Sequence, residues 1–331
     1  MGQPYVFVTR KLPDHVIEQL REVAEVKVWP YEDVQVTREV LLEEAKKADA
    51  LLTMLSDRID QEVMEAGRNL KVVANLAVGF DNVNIRCATE KGIAICNTPD
   101  VLTDTTADLT FALLMAAARR LIEAAEFVKE GQWKSWSPFL LAGSDVHHKT
   151  IGIVGMGKIG QAVAKRARGF DMEILYHNRS RNEEAERTLG ARYCSFNELL
   201  ERSDFVVCLT PLTDDTRHLF DETAFRKMKK TAIFVNASRG PVVDEDALYK
   251  ALVDGEISGA GLDVFYKEPI DASHPLLTLR NVVALPHIGS ASTETRLAMI
   301  PVSQAFILAV LQGEKPETLV NKEWLELKKH C

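Results

Sequence analysis

Two kinds of segment alternate along the chain. Short, largely apolar runs at 5–8, 26–29, 50–54, 72–75 and 93–95 are separated by other stretches, at 14–23, 38–47, 61–66 and 85–91. In these the apolar residues recur every three or four positions. Apolar runs without polar alternation predict strands covered on both faces, and the helical period between them predicts the covering helices. The alternation restarts at Thr150, with strand-like runs at 150–154, 173–176, 205–209, 232–235, 258–262 and 282–285. Strand and helix in turn imply parallel strands joined by helical crossovers, so the fold class is α/β, built from two such blocks.

The blocks are joined by a segment of different character. Thr103, Asp104, Thr105 and Thr106 offer N-capping oxygens, Asp108 suits the positive end of a helix dipole, and 111–118 is an unbroken apolar body. One long helix is predicted, buried on most sides and suited to link domains or meet a second subunit. The stretch 131–150, with Trp133, Trp136, Pro138, Gly131 and Gly143, reads as a long loop of the kind that is often functional. The last helical segment, near 292–311, has no sheet of its own and is expected to pack back on the first block. One domain is therefore expected at 1–100 plus 290–331, discontinuous and carrying the substrate. The other is expected at 101–289, with the long helix and loop at about 101–149.

Composition narrows the class of partner. The 331 residues suffice for two domains and a core that needs no disulfide or metal staple. A net charge of −8 argues against a polyanionic partner, nucleic acid or anionic membrane. The longest unbroken apolar run, 111–118, is too short to cross a bilayer, and 5–8 is too short for a signal peptide. Val6 breaks the myristoylation pattern after Gly2, so a cytoplasmic, unanchored chain is expected. The five cysteines, Cys87, Cys96, Cys194, Cys208 and Cys331, are odd in number and lack C-x-x-C spacing. Reduced thiols are expected, and no metal site, since neither they nor the eight histidines bunch at ligand spacing.

The chemistry begins at Gly155-Met-Gly157-Lys-Ile-Gly160, a G-x-G-x-x-G string that directly follows a predicted strand and opens a predicted helix, 158–168. In that context Gly155 permits a tight turn, Gly157 lets a pyrophosphate approach the backbone, and Gly160 lets helix and strand pack closely. The helix N-terminus then offers free N–H groups to the phosphates. The next strand ends in Tyr176-His-Asn178-Arg179-Ser180-Arg181, with no carboxylate before Glu183 to hold a ribose 2′-OH. Arg179, Ser180 and Arg181 suit a 2′-phosphate, so NADPH is expected over NADH.

Three polar residues fall just past three predicted buried strands: Arg239, Glu268 and His287. The carboxyl ends of parallel strands line the ligand crevice, so all three are expected to converge there. Arg239 suits a substrate carboxylate and can polarise an adjacent carbonyl oxygen. His287 can deliver a proton to that oxygen, and Glu268 beside it would favour the imidazolium and fix its orientation.

These strings resemble the signatures of the D-isomer-specific 2-hydroxyacid dehydrogenase family: Val154-Gly-Met-Gly-Lys158-Ile159-Gly160, Asn236-Ala-Ser-Arg-Gly240, Gly261-Leu-Asp-Val-Phe265 with Glu268-Pro269, and Pro286-His-Ile-Gly289-Ser290. The likeness covers nearly the whole chain. It implies two Rossmann-like or flavodoxin-like domains with an active-site cleft between them, and Arg239, Glu268 and His287 as the catalytic set. It implies Asp263 near the nicotinamide amide, and Lys158, Ile159, Gly289, Thr210, Pro211 and Ala237 along the cofactor. It also implies Val78 and Gly79 of Asn75-Leu-Ala-Val-Gly-Phe80 as backbone donors to the substrate carboxylate. Leu55 and Ser56 match the position that closes the pocket, and Ser290 a substrate contact.

Thr98-Pro-Asp-Val-Leu-Thr-Asp-Thr-Thr106 and Trp133-Lys-Ser-Trp-Ser-Pro138 are similar to the branch that reduces glyoxylate to glycolate and hydroxypyruvate to D-glycerate. That likeness implies NADPH as preferred cofactor with NADH possible. It further implies a homodimer built around the long helix and loop, with Trp136 either reaching the neighbour's active site or packing at the interface. Two alternatives share the same residues: reduction of 2-ketogluconate or another 2-oxo acid, and a dinucleotide-sensing binding protein. Too little chain follows His287 for the C-terminal regulatory domain of the larger phosphoglycerate dehydrogenases.

Overall fold

The computed structural model describes residues 2–327. Contacts divide the chain into two compact units, one that runs to Leu102 and resumes at Ser292, the other Thr103–Ala291. Cys331 lies outside the described residues.

The first unit is built on β1 (Tyr5–Val8), β2 (Glu25–Val28), β3 (Ala50–Thr53), β4 (Val72–Asn75) and β5 (Ala94–Cys96), joined by α1 (Asp14–Arg21), α2 (Arg38–Ala45), α3 (Gln61–Ala66) and α4 (Ile85–Glu90). All neighbours are parallel, in the order β2-β1-β3-β4-β5. The inner strands β3 and β4 are buried throughout, whereas the edge strand β2 alternates between exposed and half-buried residues. Thr37, Asp60 and Asn84 start α2, α3 and α4 by accepting the N–H three residues on, which satisfies one of the unpaired donors of each first turn.

The second unit holds seven parallel strands: β6 (Thr150–Val154), β7 (Glu173–His177), β8 (Arg192–Tyr193), β9 (Phe205–Cys208), β10 (Ile233–Asn236), β11 (Gly259–Leu262) and β12 (Val282–Ala284). Its helices are α5 (Thr103–Ala118), α6 (Leu121–Lys129), α7 (Lys158–Arg168), α8 (Glu183–Leu189), α9 (Phe196–Arg202), α10 (Glu222–Lys227) and α11 (Glu245–Val253). The order β12-β11-β10-β9-β6-β7-β8 reverses direction between β6 and β9, and that is where doubly wound sheets place their ligand.

The chain then returns to the first unit through α12 (Thr293–Leu311) and α13 (Trp324–Leu327). By length and composition α12 could cross a membrane, a property missed when only unbroken apolar runs are compared. Here it packs on β3, β4, β5 and α1, burying Met299, Ile300, Ser303, Phe306 and Ile307. Downstream, Asn321 accepts from the Ile95 N–H (2.9 Å) and donates to Ile93 O (2.9 Å), and Trp324 Nε1 donates to Gly92 O (2.8 Å). The exposed side of β5 is thereby satisfied without another strand.

The long helix expected from Thr103 is α5, sixteen residues ending at Ala118, and Arg120 in a left-handed conformation (φ 52°) separates it from α6. One expectation is corrected. The strand before His287 is not buried: β12 is the sheet edge, with Val282 and Val283 half-buried and Ala284 exposed.

Candidate active site

The glycine string forms the turn from β6 into α7. Gly155 has φ +108°, and a Cβ there would lie 2.6 Å from the Leu209 carbonyl carbon, so only glycine lets this turn abut the end of β9. A Cβ on Gly160 would lie 2.1 Å from Gly155 O, so the first turn of α7 sits directly on the loop. Above Gly157 there is open space. Gly157 is the N-cap of α7, without a side-chain cap and with no acidic residue in the first turn, so N–H groups and the positive dipole end face that space. The loop thus fits a dinucleotide pyrophosphate. Thr210 and Pro211 follow β9 beside Gly155, and Ala237 N–H donates to Cys208 O (3.4 Å), bringing these residues to the same edge. Lys158 and Ile159 occupy the first turn of α7.

The segment after β7 grips the loop from the other side. Asn178 Oδ1 accepts from the Met156 N–H (2.7 Å) and Asn182 Nδ2 donates to Met156 O (3.1 Å). Asn178 is therefore occupied in fixing the glycine loop. Arg179 and Ser180 are exposed. Arg181 makes a two-pronged ion pair with Glu186 of α8, Nε to Oε1 at 2.9 Å and Nη2 to Oε2 at 2.6 Å. That pair and the Tyr176 hydroxyl push the Glu186 carboxyl down to about 2.

At the carboxyl ends of β10, β11 and β12 the polar residues are assembled by backbone contacts. Asn236, at the end of β10, donates to Arg239 O (3.1 Å), and its Oδ1 accepts from the Ser238 N–H (3.0 Å). Arg239 is half-buried and donates through Nη1 to Ser238 O (2.8 Å). A Cβ on Gly240 would fall 1.8 Å from the Phe265 carbonyl carbon, so the arginine loop lies against the backbone that leads to Glu268. Glu268 Oε1 accepts from the Phe265 N–H (2.9 Å), and Oε2 lies 2.7 Å from His287 Nδ1. Because a carboxylate only accepts, it holds the proton on Nδ1 and points Nε2 away from itself.

His287 has φ 54°, the left-handed region that non-glycine residues avoid. Asp263, 1% exposed, holds the next two residues: Oδ1 accepts from the Ile288 N–H and Oδ2 from the Gly289 N–H, both at 2.8 Å. Burial pushes the Asp263 carboxyl up, against the opposing pull of these N–H groups and of His287. Asp263 thus secures the strained backbone that presents the imidazole, a role the sequence strings do not disclose. A Cβ on Gly289 would press on Asp263 Oδ2 (3.1 Å). Ser290 follows, half-buried.

In the first unit, the loops after β3 and β4 are tied together by asparagines. Asn75 donates to Gly79 O (2.9 Å), Asn82 to Met54 O (3.2 Å) and Asp57 O (2.9 Å), and Asn97 to Val78 O (2.8 Å). Ala77 O accepts from the Thr98 N–H (2.9 Å). In a trans peptide the N–H opposes its C=O, so anchoring the carbonyls of Ala77 and Val78 turns out the N–H groups of Val78 and Gly79. Neither N–H has a hydrogen-bond partner among the described residues. Leu55 is half-buried, and Ser56 Oγ accepts from Arg10 (2.9 Å). Sequence reasoning missed Asn75, Asn82 and Asn97; the only signal is an amide at the end of β4, one in the loop after it and one just past β5. Trp136 is 79% exposed, alongside exposed Trp133 and Phe139.

A glycine loop at the switch point of a seven-stranded parallel sheet, with a carboxylate–imidazole pair at the same edge, defines a dinucleotide-dependent dehydrogenase. The family model of the D-isomer specific 2-hydroxyacid dehydrogenase NAD-binding domain matches residues 111–289, and the chain belongs to that family. Glyoxylate reductase of Thermococcus kodakarensis is 53% identical over 99% of both chains. A crystal structure of a Thermus thermophilus protein covers 96% of this chain and 99% of its own, at 44% identity and TM-score 0.89. The NADPH-dependent glyoxylate/hydroxypyruvate reductase of Sinorhizobium meliloti, solved with NADP and malonate, is 31% identical over 98% of each chain, with TM-score 0.84.

Proposed function

We propose that the protein reduces glyoxylate and hydroxypyruvate to glycolate and D-glycerate with NADPH. The observation that carries the reaction type is the 2.7 Å contact between Glu268 and His287 Nδ1, which leaves Nε2 as the proton-delivering nitrogen. Glyoxylate as substrate rests on the relatives of that name at about half identity over nearly the full chain. A nicotinamide dinucleotide held at the Gly155–Gly160 loop would, when bound, supply the hydride for the carbonyl carbon. Nε2 of protonated His287 gives its proton to the oxygen as negative charge develops there, and Glu268 keeps the ring oriented throughout. Arg239 binds the substrate carboxylate and draws charge toward the adjacent oxygen. In the first unit, the outward N–H groups of Val78 and Gly79 also suit a carboxylate.

The preference for NADPH is supported by the end of β7, where Asn178 stands in place of a carboxylate and is followed by exposed Arg179 and Ser180. The first unit serves the substrate and the second the dinucleotide. The exposed apolar side chains of α6 and the loop behind it, among them Ile122, Val128, Trp133 and Phe139, suit a homodimer interface. A panel of glyoxylate, hydroxypyruvate, pyruvate, 2-ketogluconate and phosphohydroxypyruvate, each with NADPH and NADH, tests the assignment. Highest kcat/KM is expected for glyoxylate or hydroxypyruvate with NADPH. A win for phosphohydroxypyruvate with NADH overturns it.

A further inference from the structure

A carboxylate bonded to the proposed nucleotide-selecting loop belongs to a residue that no sequence motif marks. Glu186 lies on α8, just beyond Arg179, Ser180 and Arg181. Its two oxygens take the Nε and Nη2 edge of Arg181, and Oε1 also accepts from the Tyr176 hydroxyl (2.8 Å). The Tyr176 oxygen in turn accepts from the Asn182 N–H (2.7 Å), and Asn182 holds Met156 of the glycine loop. The carboxylate is thus fixed by a network rooted in the cofactor loop, with its side chain 20% exposed, while Arg181 stands 61% exposed.

We infer that Glu186 is a specificity-determining residue that weakens discrimination in favour of the 2′-phosphate by holding Arg181 and placing a negative charge beside the loop. This rests on the reading of 179–181 as the segment that meets the adenosine ribose. Forked recognition of a phosphate uses two N–H groups on one edge of a guanidinium, and here the Nε–Nη2 edge is already filled. A 2′-phosphate is left the Nη1–Nη2 end, beside a carboxylate that stays ionised at working pH because it is pushed down to about 2. A 2′-hydroxyl meets no such conflict. Two unit charges a few ångströms apart at a protein surface interact strongly enough to alter selectivity on the order of tenfold.

The test compares 2′,5′-ADP with 5′-ADP by titration calorimetry, so that everything but the phosphate cancels. Four proteins are used: the parent, Glu186→Gln, Arg181→Met and the double variant. Glutamine keeps one acceptor oxygen for Tyr176 while removing the charge and the second acceptor that grips Arg181, and circular dichroism checks that each variant is folded. Glu186→Gln is expected to bind 2′,5′-ADP about tenfold more tightly, with 5′-ADP unchanged, and the gain is expected to vanish when Arg181 is also replaced. The kcat/KM ratio for NADPH over NADH should move with it. Unchanged or weaker 2′,5′-ADP binding by Glu186→Gln, or a gain that survives loss of Arg181, overturns the inference. Equal affinity of the parent for the two nucleotides would overturn the NADPH preference instead, while the Glu186 comparison still reads out.

Discussion

Replacing Glu268 by glutamine isolates what its charge does. The Phe265 N–H that Oε1 accepts at 2.9 Å can still be accepted by the amide oxygen. The amide nitrogen then faces His287 Nδ1, where Oε2 now lies at 2.7 Å. An NH2 group cannot accept from Nδ1–H, so the ring either loses this hydrogen bond or moves its proton to Nε2 as a neutral imidazole, a poorer acid. A hydrogen bond to a charged partner contributes about 1.5–3 kcal/mol. The side chains are 22% and 30% exposed, so water shares the load and the lower part of that range applies. About 1.5–2 kcal/mol corresponds to a roughly 10- to 30-fold lower kcat/KM for reduction. Steady-state kinetics of glyoxylate reduction would show this, with nucleotide affinity, measured by fluorescence, unchanged. A variant within twofold of the parent refutes the role given to the carboxylate.

Other outcomes follow from the same geometry. Gly157→Val should leave the thermal midpoint nearly unchanged but abolish dinucleotide binding, because its side chain enters open space where the pyrophosphate approaches; Gly240→Ala should instead destabilise the fold, its Cβ meeting the Phe265 backbone at 1.8 Å. Differential scanning calorimetry with NADPH titration separates the two. Asn97→Ala releases the Val78 carbonyl and should raise the KM for glyoxylate by about tenfold, roughly the loss of one well-placed hydrogen bond, with little change in NADPH affinity. Burial pushes the Asp57 carboxyl above its ordinary 3.8, so the folded chain holds that proton more tightly than the unfolded chain. This residue's contribution to stability therefore falls as pH rises from 3.8 through the raised value, and urea titrations from about pH 4 to about pH 7 should lose that component in Asp57→Asn.

The α/β class, the parallel crossovers and the glycine turn are legible in the sequence because each is a local or periodic property. A buried strand needs consecutive apolar residues, and a turn at φ +108° beneath a neighbouring backbone needs glycine. Arg239, Glu268 and His287 are legible as candidates because ionisable side chains just past strand ends are not required for folding. Their partners are not legible. Asp263 acts on residues 25 and 26 positions away, and Asn97 on one 19 positions away. Such pairings exist only once neighbouring strands bring their ends together.

What the sequence determined by itself was therefore the kind of chain and the positions where chemistry can occur. The tertiary structure decided what each side chain is free to do. It separated α5 from α6 at a left-handed Arg120, put β12 at the sheet edge and engaged Asn178 on the glycine loop. It also paired Arg181 with Glu186, which the sequence alone does not single out. The physical reason is common to all four. Periodicity fixes which face of an element is buried, but hydrogen bonds and ion pairs act over about 3 Å, and only the folded chain sets those distances.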